Sequence, residues 1–207
     1  MRGESRRPTR PSNHEPLERS AAGDTQSDMR IAVSGSHGTG KSTLVGALAR
    51  QLPGYESVDE PYYSLLTAGH IFSAVPSFAE FEQLLEHSVT DLTESLPRDV
   101  LLDRCPIDYL AYLAHLTRPG DPRLRRWIPE VGEAISRLDL VVYVPIERPD
   151  RIPIHREEGK SLRRRVDATI REMLVEDGWG FGVPCLEVHG DLEARVSQVN
   201  ARVGGGR

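Results

Sequence analysis

The sequence predicts a three-layer α/β fold with a mostly parallel five-stranded sheet and an arginine-rich lid. Three observations carry that prediction. Short apolar runs alternate with segments of helical periodicity along most of the chain. The first run, Ile31-Ala32-Val33, leads into Gly35-Ser36-His37-Gly38-Thr39-Gly40-Lys41-Ser42-Thr43, which fits the phosphate-loop pattern G-x-x-x-x-G-K-[ST] and is followed by a helical segment. A later run, Leu140-Val141-Val142-Tyr143-Val144, is apolar throughout, as a strand covered on both faces requires.

Composition sets the bounds. The chain has 207 residues, enough for one domain with a sizeable core. A net charge of −5 argues against a general nucleic-acid binder, which is usually basic. Cys105 and Cys185 are far apart and lack metal spacing, so reduced thiols in a cytoplasmic protein are expected. No run approaches the roughly 18 apolar residues of a membrane helix. The N-terminal arginines have no apolar segment behind them and do not form a secretory signal. Residues 1–28, with Pro8, Pro11 and Pro16 and few large apolar residues, read as a disordered leader. The domain is expected over 29–203, with 204–207 as a frayed tail.

In the first βα unit the glycines let several backbone N–H groups converge on one point, where the following helix adds the positive end of its dipole. Lys41 can reach the β- and γ-phosphates of a nucleotide, and the Ser42 hydroxyl can ligate Mg²⁺. The helix runs from Lys41 to Leu52 with Leu44, Val45, Leu48 and Leu52 on one face. Tyr55–Val58 reads as the second strand, stopped by Asp59-Glu60-Pro61. The carboxyl ends of strands line the ligand crevice of an open α/β sheet, so Glu60 belongs beside the phosphate loop as a general base or substrate anchor. A helix cap is its structural alternative.

A helix is expected from Pro61 to Gly69, and a clearer one from Ser77, where Ser77-x-x-Glu80 is a capping box. Phe78, Phe81, Leu84, Leu85, Val89 and Leu92 form its inner stripe, and Glu82, Glu86 and His87 are expected in solvent. Val100-Leu101-Leu102-Asp103 is an apolar run ending in an acid, the arrangement in which the acid orients Mg²⁺ or its water shell. Arg104 follows and can pair with a phosphate or with a neighbouring acid. Asp108 reads as the N-cap of a helix to Leu116. Residues 121–138 read as one helix kinked at Pro129.

Residues 146–165 are densely charged and broken by Pro149, Pro153 and Gly159, which fits a lid over phosphates whose arginines stabilise the migrating phosphoryl group. Arg148, Arg151, Arg156 and Arg163 are the candidates. A helix continues to Asp177, with Asp167 as a partner for Arg164 or Arg171. Pro184–Val188 is the fifth strand, and Asp191 caps a last helix with Leu192, Val196, Val199 and Val203 inward.

Three stretches in order, Ile31–Thr43, Val58–Pro61 and Leu101–Tyr112, resemble the small P-loop kinases of the nucleoside and nucleotide kinase group. Glu60-Pro61 matches the Glu-Pro pair whose glutamate is the general base in deoxynucleoside kinases. The run Asp103-Arg104-Cys105-Pro106-Ile107-Asp108-Tyr109-Leu110-Ala111-Tyr112 is similar to the AAA-type ATPase-like family related to the ribosylnicotinamide kinase domain. Cys105 departs from both, which have Gly or Ser there. The resemblance implies a P-loop NTPase fold and a phosphotransferase using ATP and Mg²⁺ on a nucleoside, nucleotide or nucleoside-like metabolite. It implies Lys41, Glu60, Asp103 and Arg104 as catalytic, residues 35–43 with Arg148, Arg151 and Arg156 around the nucleotide, and Ser42 with Asp103 at the metal. The expected partners are a nucleoside triphosphate and a small-molecule acceptor, with no membrane or nucleic acid and with a homodimer left open. Two alternatives stand beside this: a regulatory nucleotide-binding switch, and a kinase that modifies an antibiotic or other secondary metabolite.

Overall fold

The computed structural model describes residues 29–73, 76–94, 96–150 and 159–205. The leader, and Arg151 and Arg156 of the expected lid, lie outside the described residues. Among the described residues five strands are present: β1 (Arg30–Ser34), β2 (Glu56–Val58), β3 (Val100–Asp103), β4 (Leu140–Tyr143) and β5 (Cys185–Glu187). Eight helices accompany them among the described residues: α1 (Lys41–Gln51), α2 (Pro61–Thr67), α3 (Phe78–Thr93), α4 (Pro106–Leu116), α5 (Pro122–Arg125), α6 (Trp127–Ile135), α7 (Lys160–Leu174) and α8 (Leu192–Gly204).

The strands form one sheet in the order β2-β3-β1-β4-β5, and every pairing is parallel. Side-chain alternation builds the three layers. Ile31, Val33, Leu101, Leu140 and Val142 pack on one face with Leu44, Leu48, Val196, Val199 and Val203 of α1 and α8. Ala32, Val100, Leu102, Val141 and Tyr143 pack on the other with residues of α3, α4, α6 and α7. Both faces are dry, which is why the central strands read as unbroken apolar runs. β1 lies between β3 and β4, so the chain reverses its direction of travel across the sheet there and leaves a crevice at the strands' carboxyl ends.

Local chemistry explains most of the element ends. The capping box of α3 is made: the Ser77 hydroxyl accepts from Glu80 N at 3.3 Å, and the Glu80 carboxylate accepts from Ser77 N at 2.6 Å. Glu80 also accepts from Ser73 N, and these bonds hold its carboxyl down at about 2. The expected helix over 121–138 is two helices. The division falls at Arg126, and Pro129 stands in the first turn of α6, where its missing N–H costs nothing. α7 stops at Leu174, short of Asp177, and Gly204 belongs to α8 rather than to a tail. Leu192, expected inward, is exposed. Glu82 is not simply solvated: it accepts from Arg126 and from the Trp127 indole at 3.0 Å. Asp167 accepts from Ile146 N at 3.2 Å and so ties α7 to the chain leaving β4, instead of pairing with Arg164 or Arg171.

Candidate functional site

The register of the central strands sets the site. Val33 pairs with Asp103 across β1 and β3, so the acid ending β3 stands level with the start of the loop leaving β1. Gly35 begins that loop at φ +151, and a Cβ there would meet the Val144 carbonyl oxygen at 2.4 Å. Only glycine fits so close to β4. Gly40 sits at φ +91 as the N-cap of α1, turning the chain into the helix without a side-chain cap.

Lys41 is buried and donates to the Ser36 carbonyl at 2.7 Å. Burial, with the Arg104 charge beside it, pushes its ammonium down to about 7. Ser42 and Thr43 are exposed at the mouth of the loop. The Asp103 carboxylate takes a hydrogen bond from Ser42, yet burial still raises its pKa. Its Oδ1 is buried with no hydrogen-bond partner. A hydroxyl beside an orphaned carboxylate oxygen is a donor set of the hard, oxygen-only kind that Mg²⁺ takes. Among the described residues there is no group of three or more His, Cys, Asp or Glu that could cage an ion without help.

Glu60 does not cap α2 with its side chain. Its carboxylate forms an ion pair with Arg104 across the crevice. Arg104 carries a positive φ of +78, unusual for a residue with a Cβ, and its backbone N–H donates to Val33 O at 3.0 Å. Burial works against the guanidinium's charge, but Glu60 and Asp108 outweigh it and push its pKa up. Among the described residues the ion pairs of Arg104 are with Glu60 and Asp108, not with Asp103 beside it or with Asp59 after β2.

Asp108 is the residue that sequence reasoning undervalued. It is not the N-cap expected from the sequence: α4 begins at Pro106 with Cys105 as its N-cap, and Asp108, fully buried at the third helical position, reaches back to accept from Cys105 N at 3.1 Å. It also accepts from Gly35 N at 3.0 Å and pairs with Arg104 at 3.4 Å. One carboxylate thus joins α4, the phosphate loop and Arg104. The only sequence signal was its fixed place five residues after Asp103. Tyr112, one turn on, puts its hydroxyl 3.2 Å from His37 N and 2.8 Å from His37 Nδ1, with Phe81 stacked on its ring at 4.6 Å.

The arginines expected of the lid separate. Arg148 is exposed and lines a cleft of about 420 Å³ with Glu147, Arg171, Glu187, His189 and Gly190, at the carboxyl ends of β4 and β5. Arg163 is buried against the phosphate loop, donating to His37 O at 2.7 Å and Gly38 O at 2.9 Å. Arg195 of α8, which the sequence did not single out as a site residue, donates to Thr39 O at 2.8 Å.

A family profile described as an AAA domain matches residues 30–195, from β1 into α8. No curated protein matches the chain in sequence. Among solved structures, the NadR protein in complex with NAD and AMP-PNP is similar at a TM-score of 0.60 and 22% identity, over 84% of this chain and 49% of that one. Deoxyadenosine kinase from M. mycoides with bound dATP is similar at 0.59 and 17%, over 85% of this chain and 100% of that one. Thymidylate kinase from Candida albicans is similar at 0.60 and 15%, over 86% and 91%. The chain spans about half the length of the NadR structure. At such identities the likeness is one of fold. The profile covers the sheet, the phosphate loop and most of the helices, and the chain therefore belongs to the AAA domain family and has the fold of the P-loop nucleoside and nucleotide kinases.

Proposed function

We propose that this protein transfers the γ-phosphoryl group of ATP to a small molecule, with a nucleoside, a nucleotide or a nucleoside-like metabolite as acceptor. The observation that carries the reading is the meeting of three groups at the carboxyl ends of the strands: the phosphate loop with Lys41, the Ser42–Asp103 pair, and the Glu60–Arg104 pair facing them. Lys41 and the loop amides left over once Gly35 N–H is held by Asp108 and His37 N–H by the Tyr112 hydroxyl bind the phosphates. Ser42 and Asp103 would hold Mg²⁺, which would supply positive charge beside the nucleotide's phosphates. Glu60 accepts the proton of the acceptor's hydroxyl, and Arg104 fixes the orientation of that carboxylate and offers positive charge to the migrating group. Where the acceptor is already a phosphate, no base is needed and Glu60 orients it. The cleft beside Arg148 and His189 takes the nucleobase.

The ligands of the fold's relatives, NAD with AMP-PNP in one and dATP in another, set the order in which compounds are tried. The test is incubation with ATP, Mg²⁺ and defined sets of nucleosides, nucleotides and secondary metabolites, with ADP release as readout. Release that depends on one acceptor class establishes the kinase. Release indifferent to every acceptor makes the protein a nucleotide switch instead. Glu60→Gln lowers acceptor-dependent turnover by about 10²-fold or more while ATP affinity holds; unchanged turnover removes Glu60 as the base.

A further inference from the structure

A loop that turns its amides inward must turn its carbonyls outward, and each outward carbonyl needs a partner. The Gly35 carbonyl accepts from Arg104 at 3.4 Å. Ser36 accepts from Lys41 at 2.7 Å. His37 and Gly38 accept from Arg163 at 2.7 and 2.9 Å. Thr39 accepts from Arg195 at 2.8 Å. Gly40 accepts from Leu44 N at 3.0 Å and so opens α1. Every carbonyl from 35 to 39 faces a cation, and the next one begins the helix.

Two of these cations belong to neither the loop nor the acid-bearing strand β3. Arg163 comes from α7 and Arg195 from α8. Both are more than nine-tenths buried, which is rare for arginine unless it is held on several sides. Each is held by a carboxylate from the same connection after β4: Asp150 pairs with Arg163, and Glu147 pairs with Arg195 at 3.3 Å. Glu147 in turn accepts from Gly190 N, which brings in the turn after β5. The loop's outer side is therefore bound to two helices through a common anchor.

We infer that Arg163 and Arg195 are positioning residues of the phosphate cradle: by binding the carbonyls of His37, Gly38 and Thr39 they fix those peptide planes with their N–H ends toward the phosphates. The inference rests on the reading that residues 35–43 bind phosphate. It separates Arg163 from the arginines that touch the transferred group, because its guanidinium is already committed to two carbonyls and a carboxylate. A peptide whose oxygen meets a cation is polarised so that its N–H becomes a better donor, and its plane cannot rotate without breaking a charge-assisted bond. The phosphates then meet donors already in place, and the ordering cost on binding falls.

The test is calorimetry on the full chain with Mg²⁺ present, using tripolyphosphate, ATP and adenosine as probes, on the wild type and on Arg195→Gln, Arg195→Lys and Arg163→Gln, with thermal melts of each. The expected result is a loss of affinity of about tenfold or more for both tripolyphosphate and ATP in the glutamine variants, no change for adenosine, and recovery to within about threefold in Arg195→Lys, which keeps the charge and one donor. A folded Arg195→Gln with wild-type tripolyphosphate affinity overturns the inference. So does equal loss for adenosine, which signals general collapse of the site. If Arg195→Gln does not fold, Arg163→Gln is judged by the same criteria; failure of both to fold assigns the arginines to stability and overturns the inference. A wild type that binds neither tripolyphosphate nor ATP removes the phosphate-loop reading itself, and this one with it.

Discussion

At the scale of single residues, the site depends on groups that cannot be replaced by near neighbours. Asp108 satisfies two buried backbone donors and one guanidinium at once. Removing it leaves Gly35 N–H, Cys105 N–H and Arg104 without that partner in a water-free place. Asp108→Ala is therefore expected to cost about 3 kcal/mol or more in chemical denaturation, with Asp108→Asn losing less because one oxygen remains. Gly35→Ala places a methyl group against the Val144 carbonyl and is expected to abolish soluble, cooperatively melting protein. The residue scale is also where sequence reading was least complete. The phosphate loop was legible because its residues are contiguous and the chemistry dictates their spacing. Asp108 looked like an ordinary cap because a cap and a bridge to a loop 73 positions away begin with the same residue type. Arg195 gave no sign of its burial, since a buried arginine and a solvated one are indistinguishable on a helix until the packing is known.

At the scale of elements, α3 offers a clean test of local coding. Its capping box was readable from Ser77 and Glu80 alone, and Ser77→Ala is expected to lower stability by about 1 kcal/mol. The backbone N–H groups of Ser77 and Ser73, with the hydroxyls of the same two serines, hold the Glu80 carboxyl down at about 2 against an ordinary value near 4.5. A depressed carboxylate contributes stability that is complete above its unfolded value and is lost as pH falls towards the folded one. The stability difference between the wild type and Glu80→Gln should therefore be constant above pH 5 and shrink between about pH 4.5 and 2, as followed by urea unfolding. A difference that stays flat across that window refutes the capping role. The 121–138 segment shows the opposite case. Its residues read as one helix, whereas the structure divides them at Arg126 and packs α6 beside α3 and α4.

At the scale of the whole molecule, the site is an edge shared by β1, β2 and β3, closed on its outer side by α7 and α8. Binding at such a place stabilises the entire fold, because the unfolded chain has no cradle to offer. ATP with Mg²⁺ at about one hundred times its dissociation constant is expected to add about 2.7 kcal/mol, read as an upward shift of the melting temperature. Lys41→Ala should remove that shift while melting cooperatively itself; a shift that survives in Lys41→Ala places nucleotide binding elsewhere.

The sequence by itself determined the order of the five strands, the phosphate loop and its lysine, the acid that follows β2 and the acid that ends β3. These follow from side-chain period, turn chemistry and contiguous spacing, all of which act within a few residues. Tertiary structure alone decided that Glu60 meets Arg104, that Asp108 reaches Gly35, and that arginines from α7 and α8 bind the outer carbonyls of the loop. Those contacts join residues 44 to 156 positions apart, and only the parallel strand order, which no local pattern encodes, brings them within a hydrogen bond.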